Sequence, residues 1–176
     1  MNLIERFLND TNDYSALGLF ATPNEESDHY YCTPTDMYVF ARTGADGMHF
    51  GVIPESFGET VFAVTPDAFG EQTVYPVAKN ITDFLALVCT LGDSTFVEEA
   101  PRMTRERFDA WRSSAADDEW LRSDAGKRFL TEKEAARKCL AETYALTEIA
   151  DPYEHIHTLS DTFDATALHY PDEYYE

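Results

Sequence analysis

Two histidines stand closest to metal-ligand spacing in this 176-residue chain: His155 and His157, beside Glu154 and ahead of Asp161. On an extended segment, residues i and i+2 share a face, so two imidazoles could hold one metal ion. No further His or Cys stands at matching local spacing. The pair is therefore expected to be surface histidines on an irregular acidic segment, and no metal is expected. His49, just after Asp46-Gly47, could serve as an acid or base. It reads instead as a side chain that caps or lines the sheet face. Ser56 lies in Pro54-Glu55-Ser56-Phe57-Gly58. A nucleophile elbow needs Gly two residues before the Ser, and Pro54 occupies that place. Cys32, Cys89 and Cys139 are widely spaced and odd in number, which argues against a disulfide framework and against a CxxC site. Cys89 and Cys139 fall in helical patterns and read as inert core thiols. No Gly-rich phosphate loop and no dinucleotide fingerprint occurs. No catalytic residue and no cofactor is expected.

Charge says more than motif. Net charge is −20, from 33 acidic and 13 basic residues. Residues 1–101 hold 16 acidic and 3 basic residues, residues 102–138 hold 8 and 10, and residues 139–176 hold 9 and none. Such a field repels phosphate, so nucleic acid and anionic membranes are not expected partners. A basic protein would be attracted. No run approaches the ~20 consecutive apolar residues of a membrane helix. The opening MNLIERFLND lacks the basic start and long apolar centre of a signal peptide. With three unpaired cysteines, a cytoplasmic location is the expectation.

The elements that would position any site centre on residues 36–91. Tyr38 to Ala41 is a β-branched and aromatic run, as strands prefer. Gly44, Asp46 and Gly47 mark a tight turn, because Gly tolerates positive φ and Asp bonds its local backbone. Met48 to Ile53 alternates, with Met48, Phe50 and Val52 opposite His49, Gly51 and Ile53. Residues 54–59, opening on Pro54, read as a turn. Val61 and Ala63 then oppose Phe62 and Val64. Thr73 to Val77 forms a further strand, and Pro76, which lacks an N–H, places it at a sheet edge or breaks it. Asn80 is a good N-cap, with Asp83 near the positive helix end. Ile81, Phe84, Leu85, Val88 and Cys89 repeat at helical spacing, and Gly92 follows the last apolar residue. The whole reads as a single α+β domain: an antiparallel meander of about four to six strands, helices mainly on one face.

Outside this stretch, a helix over residues 2–9 opens the chain, and His29 to Cys32 looks strand-like. Ser94 to Ala100 and Arg105 to Arg112 read as helices, the second capped by Thr104, and 113–118 as a polar break. Trp120 and Leu121 are expected to face inward. Thr131 and Glu134 form a T-x-x-E capping box for a helix over about 132–146, with a Glu134–Lys138 pair on its surface. From about residue 151 an acidic, aromatic tail is expected.

The run FARTGADGMHFGVIPESFGETVFAVTP, followed by VYPVAKNITDFLALV, resembles bacterial members of the SUKH superfamily. That group includes immunity proteins of polymorphic toxin systems and yeast cell-wall assembly regulators. The matching positions are Thr43, Gly44, Asp46, Gly47, Pro54, Val61 to Val64, Val77 to Lys79, Asp83, Phe84 and Leu85; Ala45 stands where Gly is more familiar. They span about a third of the chain and carry turns, strand cores and a helix start. The resemblance implies a SUKH-like fold and a protein that neutralises a cognate toxin by binding it. Its yeast members imply a regulatory scaffold as the alternative. An enzyme with an unrecognised site near His49 or His155 is the third reading. Asp172, Glu173, Tyr174, Tyr175 and Glu176 are the candidate partner-binding residues, since Tyr beside carboxylates suits Lys and Arg.

Overall fold

The structure, a computed structural model, describes residues 2–68 and 72–171, with Ala116 described in its backbone only. Its centre is an antiparallel sheet in the order β1-β2-β3-β4-β5. The strands are β1 (Phe20–Ala21), β2 (Tyr38–Arg42), β3 (His49–Val52), β4 (Val61–Val64) and β5 (Val74–Ala78). It is the expected meander, and each strand pairs with its sequence neighbour because short connections favour that pairing. The helices are α1 (Leu3–Leu8), α2 (Pro54–Phe57), α3 (Ile81–Leu91), α4 (Ser94–Glu99), α5 (Arg105–Ala116), α6 (Asp124–Tyr144) and α7 (Pro152–Ser160). None of them is long and apolar enough to cross a membrane.

Alternation along the strands builds two cores. Phe40, Phe50, Val52, Val61, Ala63 and Val77 face α3 and the other long helices. Val39, Phe62, Val64 and Val74 face Cys32, Met37, Ile53 and Leu168. On that second face the cover is loop and α2 rather than long helix, with Phe57, Phe163 and Tyr170 packed against it. Both faces of β3 and β4 are thus buried, which is why their residues, His49 apart, are apolar on both sides. β5 lies at the edge, and Pro76 sits opposite Phe62 beside a register shift after Val61. The bulge and the edge position absorb the missing N–H.

α3 is built as its sequence dictates. Asn80 Oδ1 accepts from the Asp83 N–H at 3.0 Å, and Gly92 ends the helix at φ +76°. Its burial is wider than one stripe: Ala86, Leu87 and Leu91 are buried too, while Cys89 is half-buried against Arg137 O at 3.6 Å. Burial pushes the Cys89 thiol up, consistent with an unreactive group.

Several local expectations give way to tertiary context. His29 to Cys32 is turn, not strand, because a 3-10 turn at Glu26–Asp28 and the Thr33 hydroxyl organise that segment. Pro54 opens a one-turn helix, as its fixed φ allows at N1. α5 continues through residues 113–116, where Ser113 and Ser114 bond back to the helix carbonyls of Asp109 and Trp111. Trp120 is 50% exposed rather than inward, its ring tilted against Phe129 at 5.7 Å. Thr131 is no cap: α6 begins a full two turns earlier, at Ser123, and Thr131 donates to Lys127 O. On its surface Glu134 pairs with Arg137 and Lys138 with Glu142, instead of with each other. Residues 151–171 are no loose tail. Asp151 caps α7, which lies against β5 and buries Ile156 in the main core.

Candidate partner-binding face

One end of the sheet gathers the polar groups. Residues 43–48 connect β2 to β3, and residues 65–73 connect β4 to β5. The registers His49↔Val64 and Val64↔Val74 bring the start of β3, the end of β4 and the start of β5 together, so residues 65–68 and 72–73 lie at the same end as the first connection. Loops at one end of a rigid sheet are the usual carriers of binding. Asp46 and Asp67 are exposed on these two loops.

The first loop is held by Thr43 N–H to Met48 O and Met48 N–H to Ala45 O, both at 3.1 Å. Gly44, Asp46 and Gly47 all have positive φ, at +84°, +47° and +72°. Gly47 meets a second demand. A Cβ there would lie 2.4 Å from the Tyr30 ring. Gly47→Val is expected to destabilise the fold by about 1–3 kcal/mol and to unstack Tyr30. Urea denaturation together with Tyr fluorescence checks this, and unchanged values for both would remove the strain argument.

Behind the loop, His49 is buried, as its sheet-lining expectation has it. Its Nδ1 lies 2.7 Å from Gly47 O, which can only accept, so Nδ1 carries the proton. Nε2 then accepts from Thr33 Oγ1 at 3.0 Å, and Thr33 Oγ1 accepts the Tyr30 N–H at 2.8 Å. Burial depresses the imidazole to about 4, so it is neutral at pH 7. With both nitrogens engaged it is a scaffold for the Tyr30 ring, which stacks on it at 5.7 Å. A cavity of about 240 Å³ opens beside them between Asp28, Tyr30, Arg42 and Asp46. Asp28 is fixed there by the Thr22 hydroxyl and by the Glu25 N–H at 3.0 Å.

Tyr30 and Tyr31 are 39% and 45% exposed. Tyr31 is also anchored, its hydroxyl donating to Pro66 O at 2.6 Å. An exposed ring that is already immobilised loses little entropy on binding. On the other side of Asp46 a groove of about 540 Å³ runs past Thr65, Asp67, Glu99, Arg102 and Arg107. Thr65 and Arg102 both bond one buried carboxyl, Glu98: the Thr65 hydroxyl donates to Oε1, and Arg102 Nη2 donates to the same oxygen at 2.9 Å. Local pattern shows the Glu98–Arg102 i,i+4 pair but not its burial, which needs β4 to pass under α4.

The other expected sites lie elsewhere. On helix α7, His155 and His157 diverge, since i and i+2 are about 200° apart. His155 Nε2 meets Asp83 Oδ2 at 2.8 Å, tying α7 to the start of α3, where Asp83 also accepts the Lys79 N–H. His157 stacks on Tyr153 and bonds Asp161 at 2.8 Å and Ala100 O at 3.1 Å. The shared-face metal geometry therefore does not form. Among the described residues, no three His, Cys, Asp or Glu side chains gather as a metal-holding group. Pro54 and Asn80 serve helix starts, and Phe84 the core. Asp172, Glu173, Tyr174, Tyr175 and Glu176 lie outside the described residues. The chain matches no family model, no curated protein and no solved structure.

Proposed function

We propose that the protein is a non-enzymatic binding module whose loop end of the sheet takes a basic protein, as an immunity protein takes a toxin. The observation that carries this reading is the convergence of Asp28, Asp46 and Asp67 with two anchored, exposed tyrosines, in a chain of net charge −20. Carboxylates attract Lys and Arg over a distance and set the on-rate. Tyrosine faces then hold the cation and its apolar stem by cation–π contact and packing. The SUKH resemblance of the central stretch supports toxin neutralisation as the purpose. The buried, doubly bonded His49 argues against acid–base chemistry at this end.

Capture from the native organism at low and high salt tests it. A basic toxin-like protein, recovered at low salt and lost at high salt, is the expected result. With that partner in hand, the double change Asp46→Lys and Asp67→Lys should cut the on-rate by about tenfold. Tyr31→Ala should cost about 1–3 kcal/mol through the off-rate. Truncation after Pro171 separates this face from the five terminal residues. Capture that disappears on truncation but ignores Asp46, Asp67 and Tyr31 would move the site to Tyr174 and Tyr175.

A further inference from the structure

Glu98 lies on α4 with its side chain fully buried. Oε1 has two donors, Thr65 and Arg102, but among the described residues Oε2 has no hydrogen-bond partner. An ionised carboxylate offers about four acceptor positions, and leaving one oxygen bare in a dry site penalises the ionised form. Burial accordingly pushes the acid up to about 7, against the pull of Thr65 and Arg102, with Glu99 adding a like charge. The proton thus comes and goes within the physiological range.

Both groups that hold Glu98 line the groove on the proposed binding face. Arg102 is shared between Glu98 and Glu99, at 2.9 Å from each. Around the groove stand Asp46 and Asp67 from the two loops and Arg107 from α5. From α7, His157 bonds Ala100 O between Glu98 and Arg102, with Asp161 behind it.

We propose that Glu98 is a proton-operated latch on this face: ionised, it holds Arg102 back against α4, and protonated, it releases the guanidinium towards the groove. Acidification then removes one buried negative charge and one of the two carboxylates that share Arg102 Nη2, leaving the guanidinium with Glu99 at the groove, partly open to solvent. Both changes make the face less attractive to a cation, so a basic partner binds tightly at slightly alkaline pH and loosens on acidification. The latch rests on the reading of this end as a surface for basic partners.

Two measurements on the full chain test it. The first follows the Glu98 side-chain carboxyl carbon by NMR from about pH 4 to pH 9, assigned by its absence in Glu98→Gln. A midpoint near 7 is expected, and one below about 5 overturns the latch. The second measures anisotropy of a fluorescent oligolysine peptide at low ionic strength. Wild type should bind about three- to tenfold more weakly at pH 6 than at pH 8, and Glu98→Gln should lose most of that difference. Comparing the two proteins separates Glu98 from every other titrating group. An unchanged pH response in Glu98→Gln overturns the latch and leaves the acidic face standing. If oligolysine binds neither protein at any pH, the partner reading falls and the latch's role with it, even where the carbon titrates near 7.

Discussion

Phe84→Ala is expected to cost about 3–5 kcal/mol of folding free energy. Phe84 is fully buried on α3, against the centre of the sheet. Its ring meets Phe50 at 4.6 Å and the edge of Phe40 at 5.7 Å. Truncation removes the apolar transfer energy and leaves a cavity that two strands and a helix cannot collapse. It also breaks both aromatic contacts at once. Phe84→Leu, which keeps most of the volume, should cost markedly less. Guanidinium denaturation of the three proteins gives the comparison. A loss below about 1 kcal/mol for the alanine variant would mean that the α3–sheet contact does not hold the fold together.

The sheet and α3 were legible because several local signals agree there. The Asp46-Gly47 turn, the two-residue alternation of β3 and β4, the Asn80 cap and the Gly92 stop all point to one arrangement. The helical half was less legible for identifiable reasons. α6 starts at Ser123 because Gly126 lies close against the backbone of Trp120 and Leu121, 2.3 Å from Trp120 O to where its Cβ would be. Ser123 also caps that start, its hydroxyl accepting the Gly126 N–H at 3.0 Å, so a second local cap competes with the T-x-x-E box at Thr131. In sequence α7 reads as irregular because its apolar content is small. Its order comes from Ile156 and from bonds that His155 and His157 make with groups 72 and 57 residues away.

The candidate face was half legible. Acidic excess and the turn at Asp46 are sequence properties. That Asp67, 21 residues on, lies on the neighbouring loop follows only from strand register. That Tyr30 and Tyr31 are fixed in place follows from Thr33, His49 and Pro66, which no periodicity links to them. Glu98 is the furthest from view. In sequence it is one carboxylate of 33 acidic residues, beside Glu99 and four before Arg102. Helical spacing marks the ion pair as an ordinary surface one, worth little.

Burial gives Glu98 a second consequence, in stability, that needs no partner. Its acid stands near 7 in the folded protein against an ordinary 4.5. Between those values the folded state holds a proton that the unfolded chain has released, so stability falls as pH rises from about 4.5 through 7. The full contribution is present below the unfolded value and is gone above the folded one. Its ceiling is about 3 kcal/mol, from the size of the shift. Glu98→Gln removes the titrating group while its amide oxygen can still accept from Thr65. Arg102 keeps Glu99. The wild-type and Gln curves of unfolding free energy against pH should therefore diverge, the variant gaining on wild type by about 2–3 kcal/mol between pH 5 and pH 8. That divergence isolates Glu98, because every other titrating group, His49 included, contributes to both curves. Parallel curves would show that Glu98 titrates alike in the folded and unfolded chain. A divergence of opposite sign would mean that Thr65 and Arg102 outweigh burial and hold Glu98 ionised.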